Sequence, residues 1–205
     1  MIKMQRDVES YFRILAELPD RSVSTDRAGD RLPMAGFIDA AIELTQEAAG
    51  RGRKLMFIGN GGSAAIASHM ANDFAKNGGI PALVFNDGAA LTCLGNDLGF
   101  DQIFARQIEL HGRPGDVLFA ISSSGNSADI VNGVSAAREA GCAVIGLSGF
   151  GPDNKLRRLG DLNFYVPSEE YGFVELMHQI VCHAILDIAM GWTADAGLWS
   201  RKGAA

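Results

Sequence analysis

The sequence predicts an α/β fold in which a parallel sheet carries helices on both faces. Two observations predict it. Five short apolar runs of strand length recur at residues 55–58, 82–85, 116–121, 142–147 and 162–166, and segments of helical spacing separate them. Strands that read as continuous apolar runs, rather than as alternating ones, belong to sheets covered on both sides. A chain of 205 residues, 47% apolar and 20% charged, suits a single domain with a sizeable core.

Taken in order, residues 7–18 have helical spacing in Val8, Tyr11, Ile14, Leu15 and Leu18, and Pro19 is expected to end the helix. Residues 20–32 are polar without a period, which predicts an exposed loop. Residues 35–49 return to helix through Phe37, Ala41, Ile42, Leu44 and Ala48. The strand at 55–58 runs into the glycine turn GNGGS at 59–63 and a helix over 64–74. After the strand at 82–85, a short helix spans 89–94, and Gly95-Asn96-Asp97 is expected to break it. A helix over 102–111, the strand at 116–121, the turn SSSGNS at 122–127 and a helix over 128–140 follow. The strand at 142–147, a short helix over 154–159 and the strand at 162–166 lead to a long helix over 172–191. That last helix is apolar nearly all round, which predicts burial on every side, with the sheet on one and a second copy of the chain on the others. The organisation expected is one domain over 1–205, divided into N-terminal helices (1–50), an α/β core (51–170) and a C-terminal helix (172–191). Residues 201–205 are expected to fray.

Charge and cysteine usage exclude several classes of function. A net charge of −6 and the lack of a basic run argue against nucleic acid or an anionic membrane as partner. Cys93, Cys142 and Cys182 are too few and too widely spaced for a disulfide framework or a CxxC zinc site, and their apolar neighbours predict small buried thiols. The N-terminus has no signal-peptide apolar region, and no apolar stretch is read as long enough to span a membrane, so a cytoplasmic protein is expected.

The residues able to do chemistry gather at two turns and two helices. A strand, a glycine turn and a helix N-terminus together present free N–H groups and a positive dipole end to an anion. The turns at 59–63 and 122–127 both have this form, and the second adds the hydroxyls of Ser122, Ser123, Ser124 and Ser127. Ordinary helix capping explains either turn alone, but two in one short domain favour a phosphate cradle. His69 and Asp73 lie four apart on one helix, and Glu175, Gln179 and His183 lie on one stripe of the last. Such a set suits a Zn²⁺ site, metal-free acid–base work or a structural network, and spacing alone favours the last. His178, off the stripe, and His111, at a helix end, read as structural. Glu169, Glu170 and Tyr171 read as a solvated approach to the last helix, and Trp192 and Trp199 as oligomer packing. Asn96 and Asp97 could hold sugar hydroxyls, although they also form a common turn.

The segments GNGGSAAIASHMAND, GNDLGF, GDVLFAISSSGNSADIV and ELMHQIVCH resemble the phosphosugar-binding sugar isomerase (SIS) family, and within it the phosphoheptose isomerases. The similarity covers about residues 37–190. It implies a flavodoxin-like, five-stranded parallel sheet with helices on both faces and extra N-terminal helices. It also implies a homotetramer with active sites between subunits, a zinc ion, and heptose supply for lipopolysaccharide or capsule. By resemblance, Asn60, Gly61, Gly62 and Ser63 form the first substrate loop. Asn96 and Asp97 contact substrate, and Ser122, Ser123, Ser124 and Ser127 bind phosphate. His69, Asp73, Glu175 and His183 take the metal positions, with Asp73, Glu175 and His183 as acid–base groups and Glu175 also touching substrate. The family has Glu where this chain has Asp73 and Gln where it has Glu175, and the segment after Asp73 is shorter and lacks the usual basic residues. The implied reaction is aldose–ketose isomerisation of sedoheptulose 7-phosphate through a cis-enediol. A non-catalytic phosphosugar-binding module, or an isomerase of another sugar phosphate, are the rival expectations.

Overall fold

The computed structural model describes residues 7–196, in which seven helices pack on a seven-stranded sheet. Helix α1 (Val8–Arg21) starts where Asp7 accepts a hydrogen bond from the Ser10 N–H. It runs through Pro19 rather than stopping before it, because the Ser22 N–H and Oγ both close on the Leu18 carbonyl. The expected loop at 20–32 is instead a hairpin, β1 (Val23–Asp26) and β2 (Arg31–Leu32). Asp26 Oδ1 accepts from the Ala28 and Asp30 N–H groups and so shapes its turn.

Helix α2 (Met34–Gly50) precedes the unit β3 (Leu55–Gly59), α3 (Gly62–Lys76), β4 (Ala82–Val84) and α4 (Gly88–Asp97). Gly95, Asn96 and Asp97 do not break α4. The break falls two residues later at Gly99, whose φ of +100° no helix accommodates. A 3₁₀ turn (Phe100–Gln102) leads into α5 (Ile103–His111), followed by β5 (Val117–Ser122), α6 (Ala128–Glu139) and β6 (Ala143–Ser148). The helix expected at 154–159 is only a 3₁₀ turn, Leu156–Arg158. Strand β7 (Leu162–Tyr165) and helix α7 (Tyr171–Ala189) complete the core.

The strand order is β2-β1-β7-β6-β5-β3-β4. β4, β3, β5, β6 and β7 are mutually parallel, and they are the five strands the sequence predicts. The hairpin adds two antiparallel strands at the β7 edge, with Val23 opposite Tyr165, so the sheet is mixed rather than purely parallel. Alternate strand residues feed two cores, as a period of two requires. Leu55, Phe57, Phe119 and Ile121 meet Phe37, Met70, Phe74 and Met177 on one face. Met56, Ile58, Leu118 and Ala120 meet Phe104, Ile108, Ile130 and Val134 on the other.

Two sequence expectations fail, one on cysteine burial and one on the length of an apolar span. Cys93 is exposed on α4, whereas Cys142 and Cys182 are buried, and burial raises their thiols to about 11 and about 12. Contrary to the reading of span length, α7 is long and apolar enough to cross a membrane. Its buried side, Val174, Met177, Val181 and Ile185, nevertheless packs into the sheet core. The other side, where a second copy is expected, is open in one chain: Leu176, Ile180 and Ile188 are exposed. Trp199 and residues 201–205 lie outside the described residues.

Candidate active site

The parallel strands run in the order 2-1-3-4-5 when numbered among themselves, so the chain leaves β3 to one side for β4 and returns to the other side for β5. Ligands of open parallel sheets bind in the crevice at that reversal, beyond the carboxyl ends of the strands. The turns after β3 and β5 flank it. Asn60, Gly61, Gly62, Ser63, Ser122, Ser123, Ser124, Ser127, Tyr171 and Glu175 line one cleft of about 230 Å³ there.

Apart from the Glu175 carboxylate, the chemistry of this cleft is that of a hydrogen-bond donor. Neither α3, entered from Gly61, nor α6, entered from Ser127, has a side chain capping its first turn, which leaves helix N–H groups directed outward. Ser122 Oγ accepts from the Gly125 N–H at 3.1 Å and Ser124 Oγ from the Asn126 N–H at 3.3 Å, so both hydroxyl protons remain to be given. Ser123 Oγ is buried without a partner among the described residues. Gly125, at φ +62°, has no room for a side chain, since a Cβ would lie 2.0 Å from Asn154 Oδ1. Asn154 is itself fixed by bonds to the Gly149 and Gly151 carbonyls.

A second cluster stands farther along the same helices. His69 and Asp73 on α3 and His183 on α7 bring one ligand atom each within 4.8 Å of one another. His69 Nε2 lies 3.2 Å from Asp73 Oδ2, and the two imidazoles meet edge to face at 5.2 Å.

Glu175 does not join this cluster, against expectation. Eight residues separate it from His183, which is about 12 Å along a helix. Its carboxylate lies over Gly62, where an added Cβ would be 2.4 Å from either oxygen. Asn96 and Asp97 do not line the cleft either; they are exposed in the last turn of α4, with Asn96 Nδ2 bonded to Asp97 Oδ1 at 2.9 Å. Sequence reasoning missed Asp129, buried in the first turn of α6 and bonded to Asn60, and placed Tyr171 outside the cleft that it lines. An acid in the first turn of the helix that follows a phosphate-type loop was the available signal for Asp129. His178 is a core residue bonded to the Ser148 carbonyl, and His111 stacks on Phe85.

A larger cleft, about 370 Å³, lies at the start of β7, the end of the sheet away from these turns. Its arginines are already engaged: Arg27 with Asp161, Arg158 with Asp153, and Arg157 over the Tyr165 ring. It therefore offers weaker ligand chemistry than the smaller cleft.

Comparison with known proteins identifies the family. The family model described as "SIS domain" matches residues 33–149. The phosphoheptose isomerase of Rhodospirillum rubrum is 41% identical over 169 residues, 78% of this chain and 86% of that one. That of Solidesulfovibrio magneticus is 36% identical, covering 92% of this chain and 94% of its own. Among solved structures, the phosphoheptose isomerase of Neisseria gonorrhoeae superposes with a TM-score of 0.77 at 32% identity, over 89% of this chain and 97% of that one. That of Francisella tularensis gives the same TM-score at 28% identity, over 90% and 97%. With its glycine and serine loops on either side of the crevice, and with relatives this similar along most of its length, the chain belongs to the SIS domain family, beside the phosphoheptose isomerases.

Proposed function

We propose that this protein is a phosphoheptose isomerase, interconverting sedoheptulose 7-phosphate and D-glycero-D-manno-heptose 7-phosphate. One observation carries the reading beyond family likeness: a donor-rich cleft and a His–Asp–His cluster share α3 and α7, about 10–12 Å apart along the helices. That separation suits an extended seven-carbon chain held by its phosphate at one end and worked on at the other. The hydroxyls of Ser122, Ser123, Ser124 and Ser127, with the helix N–H groups, take the phosphoryl oxygens. Asp73 removes the C1 proton of the ketose and returns it to C2 of the cis-enediol. His183 carries a proton between O1 and O2, so no atom is gained or lost. A module that only binds sugar phosphates would leave the cluster without a task.

Two imidazoles and a carboxylate within 4.8 Å suit a catalytic zinc with an open fourth position, so His69, Asp73 and His183 would hold the ion. Zinc, when bound, supplies Lewis-acid polarisation of the substrate carbonyl. Elemental analysis of purified protein is expected to find about one zinc per chain, and His69→Ala or His183→Ala to lose it. Full activity in metal-free protein would leave the His69–Asp73 pair as a purely organic acid–base site.

Substrate-dependent deuterium uptake at C1 in D₂O, followed by NMR, tests the reaction; no uptake with sedoheptulose 7-phosphate overturns it. Ser124→Ala and Ser127→Ala should each raise KM about 5- to 10-fold, the worth of one hydrogen bond, with kcat nearly unchanged.

The same reading makes the chain one domain, since the N-terminal hairpin extends the core sheet. It places the protein in the cytoplasm, in heptose supply for lipopolysaccharide or capsule. It also makes it a homotetramer, supported by the open apolar residues Leu176, Ile180, Ile188 and Trp192, and by Val8 and Phe12 on α1. Light scattering coupled to size exclusion is expected to give four chains; a monomer at micromolar concentration would refute the assembly.

A further inference from the structure

We propose that Asp129 is a positioning residue that decides which end of the Asn60 amide is offered to the substrate, and so assigns Asn60 to a sugar hydroxyl rather than to the phosphate. Asn60 stands in the turn after β3 and Asp129 in the first turn of α6, after β5. Asn60 Nδ2 donates to Asp129 Oδ2 at 2.7 Å, linking the two walls of the crevice directly. Asp129 is 3% exposed, and its charge lies at a helix N-terminus, where the dipole favours an anion without a cation nearby.

The orientation of an amide follows from its hydrogen bonds, and here the partner leaves no choice. An ionised carboxylate only accepts, so it must receive the Asn60 N–H, and the carbonyl Oδ1 is turned away from it. Apart from the Glu175 carboxylate over Gly62, the rest of the cleft is mostly donors: serine hydroxyls and helix N–H groups, which suit phosphoryl oxygens. Oδ1, left free of Asp129, is the acceptor that Asn60 brings to this lining. A phosphate dianion at neutral pH also only accepts and would be repelled there, whereas a sugar hydroxyl donates. The ligand class that fits is therefore a polyol phosphate lying across the turn, with one hydroxyl read by Asn60. The turnover part of this proposal rests on the isomerase reading; the binding part does not.

A double-mutant cycle over Asn60→Asp, Asp129→Asn and the double variant tests it. N60D sets two carboxylates face to face and should raise KM for sedoheptulose 7-phosphate by at least about 30-fold. D129N, nearly isosteric, no longer forces one orientation, since the new amide can accept from or donate to the Asn60 amide, and should raise KM about two- to fivefold while kcat moves less than about twofold. The double variant restores one donor and one acceptor across the gap and keeps an acceptor toward the substrate, so KM should return to within a few-fold of wild type. Inhibition by inorganic phosphate should be unchanged in D129N, a result that general loosening of the cleft would not give. Additive losses in the double variant, or a phosphate constant that moves together with KM, overturn the proposal. If wild type does not turn over the sugar phosphate, the isomerase reading fails alone. Calorimetric binding of sedoheptulose 7-phosphate against inorganic phosphate then runs the same cycle. If N60D does not fold, D129N with the two ligands still decides.

Discussion

Asp73→Asn is expected to lower kcat about 10²- to 10⁴-fold, the range of a lost general base, while Glu175→Gln keeps kcat within about tenfold. The two carboxylates are candidates from the sequence, and their surroundings separate them. Asp73 is half-buried on α3, 3.2 Å from His69 and grouped with His183. Glu175 lies against Gly62, at the end where the phosphate is proposed to bind. A carboxylate there opposes an anionic ligand, so removing its charge should leave KM unchanged or lower it a few-fold. Asparagine keeps the size of Asp73 and loses its ability to take a proton. Two further measurements separate a lost base from a lost metal ligand: metal content, and the rate of hydrogen exchange at C1. D73N that keeps its metal and no longer exchanges C1 identifies the base. Near wild-type turnover in D73N, with E175Q inactive, would move the base to the other end of the cleft and undo the mechanism.

How far the sequence could be read follows from the range of each signal. The five parallel strands are legible because each is buried on both faces and so reads as an uninterrupted apolar run, as in Leu55–Gly59 and Val117–Ser122. Strands β1 and β2, four and two residues long and mostly polar, carry no period; only their pairing with β7 makes them strands. His69 and Asp73 are legible as a pair because four residues on a helix bring side chains together. The same rule misleads for Glu175: successive steps of four keep it on the stripe of His183 while carrying it two turns away. Asn96 and Asp97 stand outside the cleft of their own chain, since local turn chemistry says nothing of which cleft a helix end reaches. The Asn60–Asp129 bond joins residues 69 apart in sequence, which no local pattern encodes.

Lowering the pH from 7 to 5 is expected to cost the protein about 2 kcal/mol of stability through His178 alone, rising to about 3 kcal/mol near pH 4. The side chain is fully buried, and burial pushes its pKa from 6.5 down to about 4, only partly opposed by the bond to the Ser148 carbonyl. That bond, at 3.1 Å, requires Nε2 to carry the proton and leaves Nδ1 as a bare acceptor, without a partner among the described residues. The folded-state pKa is depressed, so below about 6.5 the unfolded chain binds a proton that the native chain refuses, and stability falls with pH until about 4. Carboxylates add their own slope at the acid end, so the contribution of His178 is the difference between wild type and His178→Asn. Urea unfolding at pH 7, 6 and 5 should show the variant weaker at pH 7 but flatter across the series; parallel slopes would remove His178 as the cause. The effect should reach the site as well. Ser148 ends β6, and the next residue, Gly149, donates its N–H to the Ser123 carbonyl at 3.0 Å. Only near pH 4, where the native imidazole itself takes a proton, does a charge beneath that junction disturb the strand end that holds the serine loop in place. Affinity of the folded protein for sugar phosphate should therefore hold while stability falls from pH 7 to 5, and a loss that the variant lacks should begin only as the pH approaches about 4.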